Sequence, residues 1–256
     1  MGLYTELFNS QQCCLCDSTS DLTGEHKFKA SQLKAIFGKE SMTMVSDLNG
    51  ATRKRHAQGP KSSVFHFKSL LCKNCNNSAS QKGDNAFDRV HAFILNQLYG
   101  NNIDIFSEAN IRALLDVHPD VFRYFAKLLC CYIGDSEGPR FKDLCDFAIG
   151  KSDLNIVHVN IDLDPTYPMV VEIAATEQYV AHGGLLVLCD RTTGALTEFW
   201  NSLTLGPIRY QFGIHMFGQI DAELRQEHFP FWKRCRDAYE GALRLESCPP
   251  DVRAES

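Results

Sequence analysis

Three observations predict an α+β chain. Two Cys-x-x-Cys pairs stand far apart in the first 75 residues, helical periodicity runs from about 84 to 149, and alternating strand patterns follow 157. The expected organisation is a small zinc-stapled domain over 1–100, then a helical segment leading into an antiparallel-sheet domain, together filling 101–256.

In chain order, residues 10–24 read as a knuckle and turn, because Asp17, Ser18, Thr19, Ser20, Asp21 and Gly24 supply turn chemistry. Ser31 to Phe37 has a short helical pattern, and Gly38 suits its C-terminal end. Two strands are expected at Met42–Leu48 and Ser63–Leu71, joined by a basic loop from Asn49 to His56 that continues to Gly59-Pro60. Asp84 is placed to cap a helix running to Leu98, with Phe87, Val90, Phe93, Ile94 and Leu98 on one face. Gly100-Asn101-Asn102 breaks that pattern and sets the expected domain boundary.

Helices are then expected at Ser107–Leu115, Pro119–Ile133 and Phe141–Ile149. Val157, Val159, Ile161 and Leu163 alternate with polar residues, and further strands are expected at Met169–Ala174, Leu185–Cys189, Thr197–Ser202 and Tyr210–Met216. Asp190 to Gly194 reads as a hairpin break. A closing helix from Asp221 to Leu245 ends before Pro249-Pro250.

The longest apolar runs, such as Leu185 to Leu188, are strand-sized, far short of the roughly 20 residues of a membrane span. No basic stretch followed by an apolar one opens the chain, so a cytoplasmic, reducing setting is expected, with no membrane partner. Eleven cysteines then argue for metal and free thiols over a disulfide framework. Cys14, Cys130, Cys131, Cys145, Cys189, Cys235 and Cys248 look mostly like small buried hydrophobes.

The net charge of −5 conceals an asymmetry. Residues 1–100 carry 12 Lys+Arg against 8 Asp+Glu, and residues 101–256 carry 14 against 23. Between 27 and 68, Lys27, Lys29, Lys34, Lys39, Arg53, Lys54, Arg55, Lys61 and Lys68 face only Glu40 and Asp47. Such a stretch is either a solvated basic loop or a polyanion contact, with nucleic acid the natural partner. Lys27, Lys29, Arg53, Lys54, Arg55 and Lys61 are the candidate phosphate contacts.

Cys-x-x-Cys places two thiolates on one tight turn, where they can share an ion. Cys13 and Cys16 make the first pair, with Cys14 spare or an alternative ligand; Cys72 and Cys75 make the second. Structural zinc is expected, the alternative being four reduced, unmetallated thiols. Treble-clef modules tolerate the long intervening insertion, which must fold back.

Phosphodiester hydrolysis needs an activated water and relief of phosphate charge. His26 can take the proton of the attacking water. Adjacent Glu25 and the amide oxygen of Asn76 can hold a divalent ion, Mg2+ or Mn2+. Against this, a Glu-His pair is commonplace, and Asn76 or Asn77 can simply cap the following helix.

The series Cys13-x-x-Cys16, Glu25-His26, Cys72-x-x-Cys75-Asn76 resembles the HNH, or His-Me finger, endonucleases with a ββα-metal core, and most of all the phage endonuclease VII-like branch. The resemblance spans about residues 10–99. It implies a zinc-stapled, treble-clef nuclease domain acting on DNA, with His26 as general base, Glu25 and Asn76 on one magnesium or manganese ion, and Cys13, Cys16, Cys72 and Cys75 on structural zinc. Glu25 stands where many members carry Asp. Many members have a further histidine on the final helix; here either Asp84, Asp88 or His91 substitutes for it or the role is absent.

His66 reads as structural, and His158, His182, His215 and His228 lack ligand spacing. Asp162, Asp164 and Glu172 read as solvated acids. Residues 101–256 are left for specificity, dimerisation or a protein partner. Two other readings stand beside the nuclease: a non-catalytic zinc module binding nucleic acid or protein, and an enzyme in the second half tethered by the first.

Overall fold

In a computed structural model of the chain, residues 5–48, 51–174, 178–216 and 218–247 are described. Asn49, Gly50, Cys248 and the Pro249-Pro250 stop lie outside them. The chain is mixed α+β, 46% helix and 26% strand, so neither layer can be a minor decoration of the other.

In chain order the elements are β1 (Thr5–Glu6), β2 (Leu22–His26), α1 (Ala30–Phe37), β3 (Met42–Leu48), β4 (Ala51–Ala57), β5 (His66–Cys72) and α2 (Gln81–Tyr99). Next come α3 (Glu108–Val117), α4 (Val121–Asp135), β6 (Arg140–Phe141), α5 (Lys142–Ala148), β7 (Val157–Leu163) and α6 (Tyr167–Ala174). The chain closes with β8 (Tyr179–His182), β9 (Leu186–Cys189), β10 (Leu196–Leu205), β11 (Ile208–His215), α7 (Gly218–Glu227) and α8 (Phe229–Ser247).

Helix α4 organises the interior. Eleven of its fifteen residues are buried, so it is covered on every side instead of along one stripe. Phe125 meets the inner face of a seven-stranded sheet, ordered β4-β3-β8-β10-β11-β7 with β9 also on β10. Tyr210 and Phe212 from β11 pack their rings at a tilt against Phe125, with centroids 5.8 and 4.9 Å away.

The expected division near residue 100 is not a break in packing. Strands β3 and β4 form one edge of the same sheet as β7 to β11, and one apolar cluster runs from Cys13 to Cys235. The joint is a parallel pairing of β3 with β8, Thr43↔Tyr179 through Ser46↔His182, so the sheet is mixed and not wholly antiparallel. A parallel pair needs a long connection, which here carries α2 to α6.

Three other expectations are corrected. The basic segment read as a loop is strand β4, paired with β3 from Met42↔Ala57 to Leu48↔Ala51. It lies at the sheet edge, where charged side chains are tolerated and block further pairing. Met169–Ala174, read as a strand, belongs to α6; Asp164 caps its approach by accepting from Thr166 N and Thr166 Oγ1 at 2.9 and 2.7 Å, and Pro168 sits in the first turn. The closing helix is two helices separated at His228, with Pro230 at the second position of α8, where its missing N–H costs nothing.

Helices α2 and α4 cross at Gly83. A methyl group there would lie 2.7 Å from Tyr124 N and 3.2 Å from its Cα, and backbone cannot move aside cheaply. Gly83→Ala is therefore expected to cost about 1–3 kcal/mol. Gly241→Ala, in α8 with nothing within 4 Å, is expected to be neutral or to stabilise by up to about 1 kcal/mol. Thermal midpoints of the two variants check both signs.

Candidate metal centre and the surface beside it

The four knuckle cysteines converge. One ligand atom from each of Cys13, Cys16, Cys72 and Cys75 lies within 4.8 Å of the others, the one such group of His, Cys, Asp and Glu found among the described residues. Tetrahedral zinc with thiolates at about 2.3 Å sets neighbouring sulfurs about 3.8 Å apart. Cys16 Sγ and Cys72 Sγ are 3.6 Å apart, so the donor set fits that ion.

Backbone bonds bring the two turns together. In the first knuckle, Cys13 N donates to Ser18 O at 2.8 Å, and Asp17 N donates to Cys13 O with Asp17 at φ 63°. Cys14 N donates to Leu70 O on β5, and Lys73 N donates to Asp21 O. Strand β2 pairs with β5 from Leu22↔Cys72 to His26↔His66, so the second knuckle follows directly from the strand that pairs with Glu25-His26. The chain then enters one wide turn, Cys75–Ala79, before α2.

The thiols share protons unequally. Hydrogen bonding from Cys75 draws the Cys13 thiol down to about 5 against the opposition of burial, and the same bond pushes Cys75 up. A bound cation would displace the remaining protons. Cys14 is no ligand: its sulfur points away, 3.7 Å from Cys131 Sγ.

A second-half residue with no sequence assignment clasps this knuckle. Arg140, 6% exposed, donates to Cys14 O at 3.2 Å and Leu15 O at 2.9 Å and pairs with Glu6 and Asp17.

The candidate catalytic residues part company. Glu25 turns inward and is buried; Lys127 Nζ lies 2.9 Å from its Oε1 and 2.7 Å from Asp84 Oδ1. Burial raises the Glu25 carboxyl, Lys127 opposing it. Burial alone would lower the Lys127 ammonium, but the two carboxylates carry it above its usual value. His26 lies on the other side of β2, where its ring packs edge-on to His66 at 4.0 Å. Its Nε2 lies beneath the surface and, among the described residues, has no hydrogen-bond partner. Burial, then His66, Lys127 and Lys61, lower its pKa to about 4. Gly24 makes room for this pair, since a Cβ there would sit 3.1 Å from His66 Nδ1.

Asn76 rests on β2, its amide nitrogen donating to Thr23 Oγ1 at 3.0 Å and Gly24 O at 3.3 Å. It ties the second knuckle to the strand bearing Glu25 and His26. The substitutes for a further ligand are all engaged elsewhere. Asp84 holds Lys127, Asp88 pairs with Lys29 and accepts from Gln32, and buried His91 meets the Tyr210 hydroxyl.

The basic candidates also separate. Lys27 donates to His66 O, pairs with Asp135 and lies over the Phe67 ring; Lys29 pairs with Asp88 and donates to Asp84 O. Both are structural ties, contrary to the expectation of phosphate contacts. Arg53, Lys54 and Arg55 on β4, and Lys61 after it, are exposed.

A cavity of about 910 Å³ lies against the sheet between α6 and α8, away from this site. On its wall Arg209 pairs with Asp162, and Asp164 accepts from Thr204 Oγ1 at 2.7 Å.

No helix of the described residues is long and apolar enough to cross a membrane. No protein-family model, curated protein or solved structure matches this chain. The fold and site define a mixed α+β protein with a tetracysteine group able to hold a metal ion.

Proposed function

We propose that the chain is a zinc-stapled endonuclease of the treble-clef, ββα type that hydrolyses phosphodiester bonds in DNA, with His26 as general base. The observation that carries this reading is His26 itself: a neutral imidazole, without an internal partner for Nε2, on a hairpin tied to the tetracysteine group. The knuckle, the β2–β5 pair and the following helix α2 occur in the order the resemblance implies.

Cys13, Cys16, Cys72 and Cys75 would hold the zinc, whose contribution when bound is to fix both turns and, through Asn76, the position of β2. Magnesium or manganese on Glu25 and Asn76 does not fit these residues. Glu25 is the misfit, sealed inside against Lys127 with its Oε1 on the ammonium, while Asn76 bonds Thr23 and Gly24 through its amide nitrogen alone. The steps left to the chain are proton transfer and charge relief. The His26 imidazole takes a proton from water as the water oxygen bonds to phosphorus; the ester bond breaks, and the departing oxygen takes a proton from solvent. Lys61 and Arg55 face the phosphate charge.

His26→Ala is expected to lower cleavage by about 10²–10⁴-fold while leaving binding intact. Unchanged cutting by a folded variant would refute the base assignment. Because the imidazole is neutral above about 4, the rate is expected to rise through that pH and to be flat by 6.5, where an unshifted histidine would still be titrating. Rates measured from pH 3.5 to 7.5 check this limb.

Arg53→Ala, Arg55→Ala and Lys61→Ala are each expected to flatten the dependence of log affinity on log salt by about 1. Lys27→Ala and Lys29→Ala are expected to lower thermal stability instead, because each leaves a carboxylate without its paired cation.

The burial of His26 Nε2 and of Glu25 favours a second reading, a zinc module that binds nucleic acid without cutting it. Salt-dependent binding with no cleavage of supercoiled, linear or branched DNA, or of RNA, under any ion would select it.

A further inference from the structure

We propose that Lys127 is the resident cation of this site: its ammonium occupies the position between Glu25 and Asp84 where a divalent ion would have to sit. The proposal deepens the nuclease reading by naming its charge source, but its geometry does not depend on cleavage.

The argument begins with helix α4. Lys127 is 2% exposed in the middle of a helix covered by apolar neighbours, and its stem does not carry the charge out to water. An ammonium so placed is tolerated only with opposite charge in contact. Two carboxylates provide it, at 2.9 and 2.7 Å, from elements of the first half of the chain: Glu25 from β2 and Asp84 from the first turn of α2. Ser80 Oγ donates to the other oxygen of Asp84 at 3.2 Å, and the Tyr124 ring lies 5.5 Å beneath the ammonium. Both carboxylates are thus oriented on one point, and that point is filled.

A divalent ion on Glu25 would have to expel the ammonium or share two carboxylates with it at contact distance. Sharing sets three positive charges against two carboxylates, and expulsion leaves the ammonium of a buried side chain without a partner in a dry region. Lys127 in turn acts on the neighbouring imidazole across β2 and helps keep it uncharged. It does not reach the surface, so it is a positioning residue and not a catalytic one. The exposed cations Arg53, Arg55 and Lys61 are left to meet the substrate.

The test uses the zinc-loaded full chain and manganese alone as probe, followed by electron paramagnetic resonance and by the thermal midpoint. The unmodified protein is expected to bind no Mn2+ more tightly than about 1 mM and to show no shift in midpoint. Lys127→Met removes the ammonium and keeps the stem, so it is expected to take up one Mn2+ per chain and to melt higher with the ion present. Adding Glu25→Gln to that variant is expected to abolish the uptake. If Lys127→Met does not fold, Lys127→Arg keeps the cation and is expected to reject Mn2+ as the unmodified chain does.

One Mn2+ bound tightly by the unmodified chain and lost in Glu25→Gln would overturn the proposal. Folded Lys127→Met that gains no ion would overturn it too. Neither readout requires cutting. Manganese exclusion without cleavage would leave the cation assignment standing and remove the nuclease reading, whereas cleavage strictly dependent on Mn2+ would do the reverse.

Discussion

Cys75→Ala is expected to abolish stoichiometric zinc binding and to lower stability by several kcal/mol, the largest single-residue effect in the chain. Structural zinc in small domains contributes on the order of 10 kcal/mol of binding free energy, which is folding free energy when the unfolded chain has no site. Here Cys13, Cys16, Cys72 and Cys75 belong to segments 55 residues apart, joined near the ion by a few backbone bonds such as Cys14 N to Leu70 O. Without the ion, four sulfurs stay crowded within 4.8 Å and share protons unequally. The rest of the core still supports α4 and the sheet, so the loss should be smaller than in an isolated finger and concentrated on β2 and β5. Cys14→Ala is the control. Its sulfur faces Cys131, and one zinc per chain should remain. Metal analysis after exhaustive dialysis, with hydrogen exchange on residues 22–26 and 66–72, would decide; undiminished zinc in Cys75→Ala would exclude the tetracysteine site.

Much of this was legible in the residues, and the exceptions have identifiable causes. The Cys-x-x-Cys spacing announced the metal group because two thiolates on a tight turn have few other uses at that spacing. Helix α3 followed from apolar periodicity and β7 from strict alternation, while α4 announced itself as a long, nearly continuous apolar run. Strand β4 was hidden because its residues from Arg53 to His56 are charged or polar, and an edge strand is held by backbone bonds that leave no trace in composition. β8, four residues long, gave too short a pattern to register, yet it joins the two halves.

The site was harder to read because sequence proximity does not reveal which face a side chain occupies. Glu25 and His26 are neighbours, but β2 sends one into the core and the other to the opposite side, and the pairing register shifts between Gly24 and His26. What orients Glu25 is Lys127, 102 positions away. There was a signal for it. A lysine flanked by Tyr124, Phe125, Ala126, Leu128 and Leu129 in a helix apolar on all sides demands a buried acid, and Glu25 and Asp84 were already singled out. Arg140 gave no comparable sign, because it has no apolar flank like that of Lys127 and its partners are two backbone carbonyls and two partly exposed acids, Glu6 and Asp17.

A fragment comprising residues 1–100 is expected not to fold, even with zinc supplied, although it contains His26, the four knuckle cysteines and the exposed cations Arg53, Arg55 and Lys61. Removing α4 strands Glu25 and Asp84, and breaking such a pair by losing one partner costs about 3–5 kcal/mol. Lys127→Ala in the full chain isolates that term and should cost a similar amount. The fragment loses more: β3 has no β8, the knuckle carbonyls have no Arg140, and Phe87 of α2 loses its stacking on Tyr124. These losses compare with a typical total stability of about 5–15 kcal/mol, so they should exceed what zinc supplies to a pair of turns. A dispersed NMR spectrum and cooperative melting for zinc-bound 1–100 would show instead that the first half is an independent unit, with Lys127 and Arg140 merely docking the second half onto it.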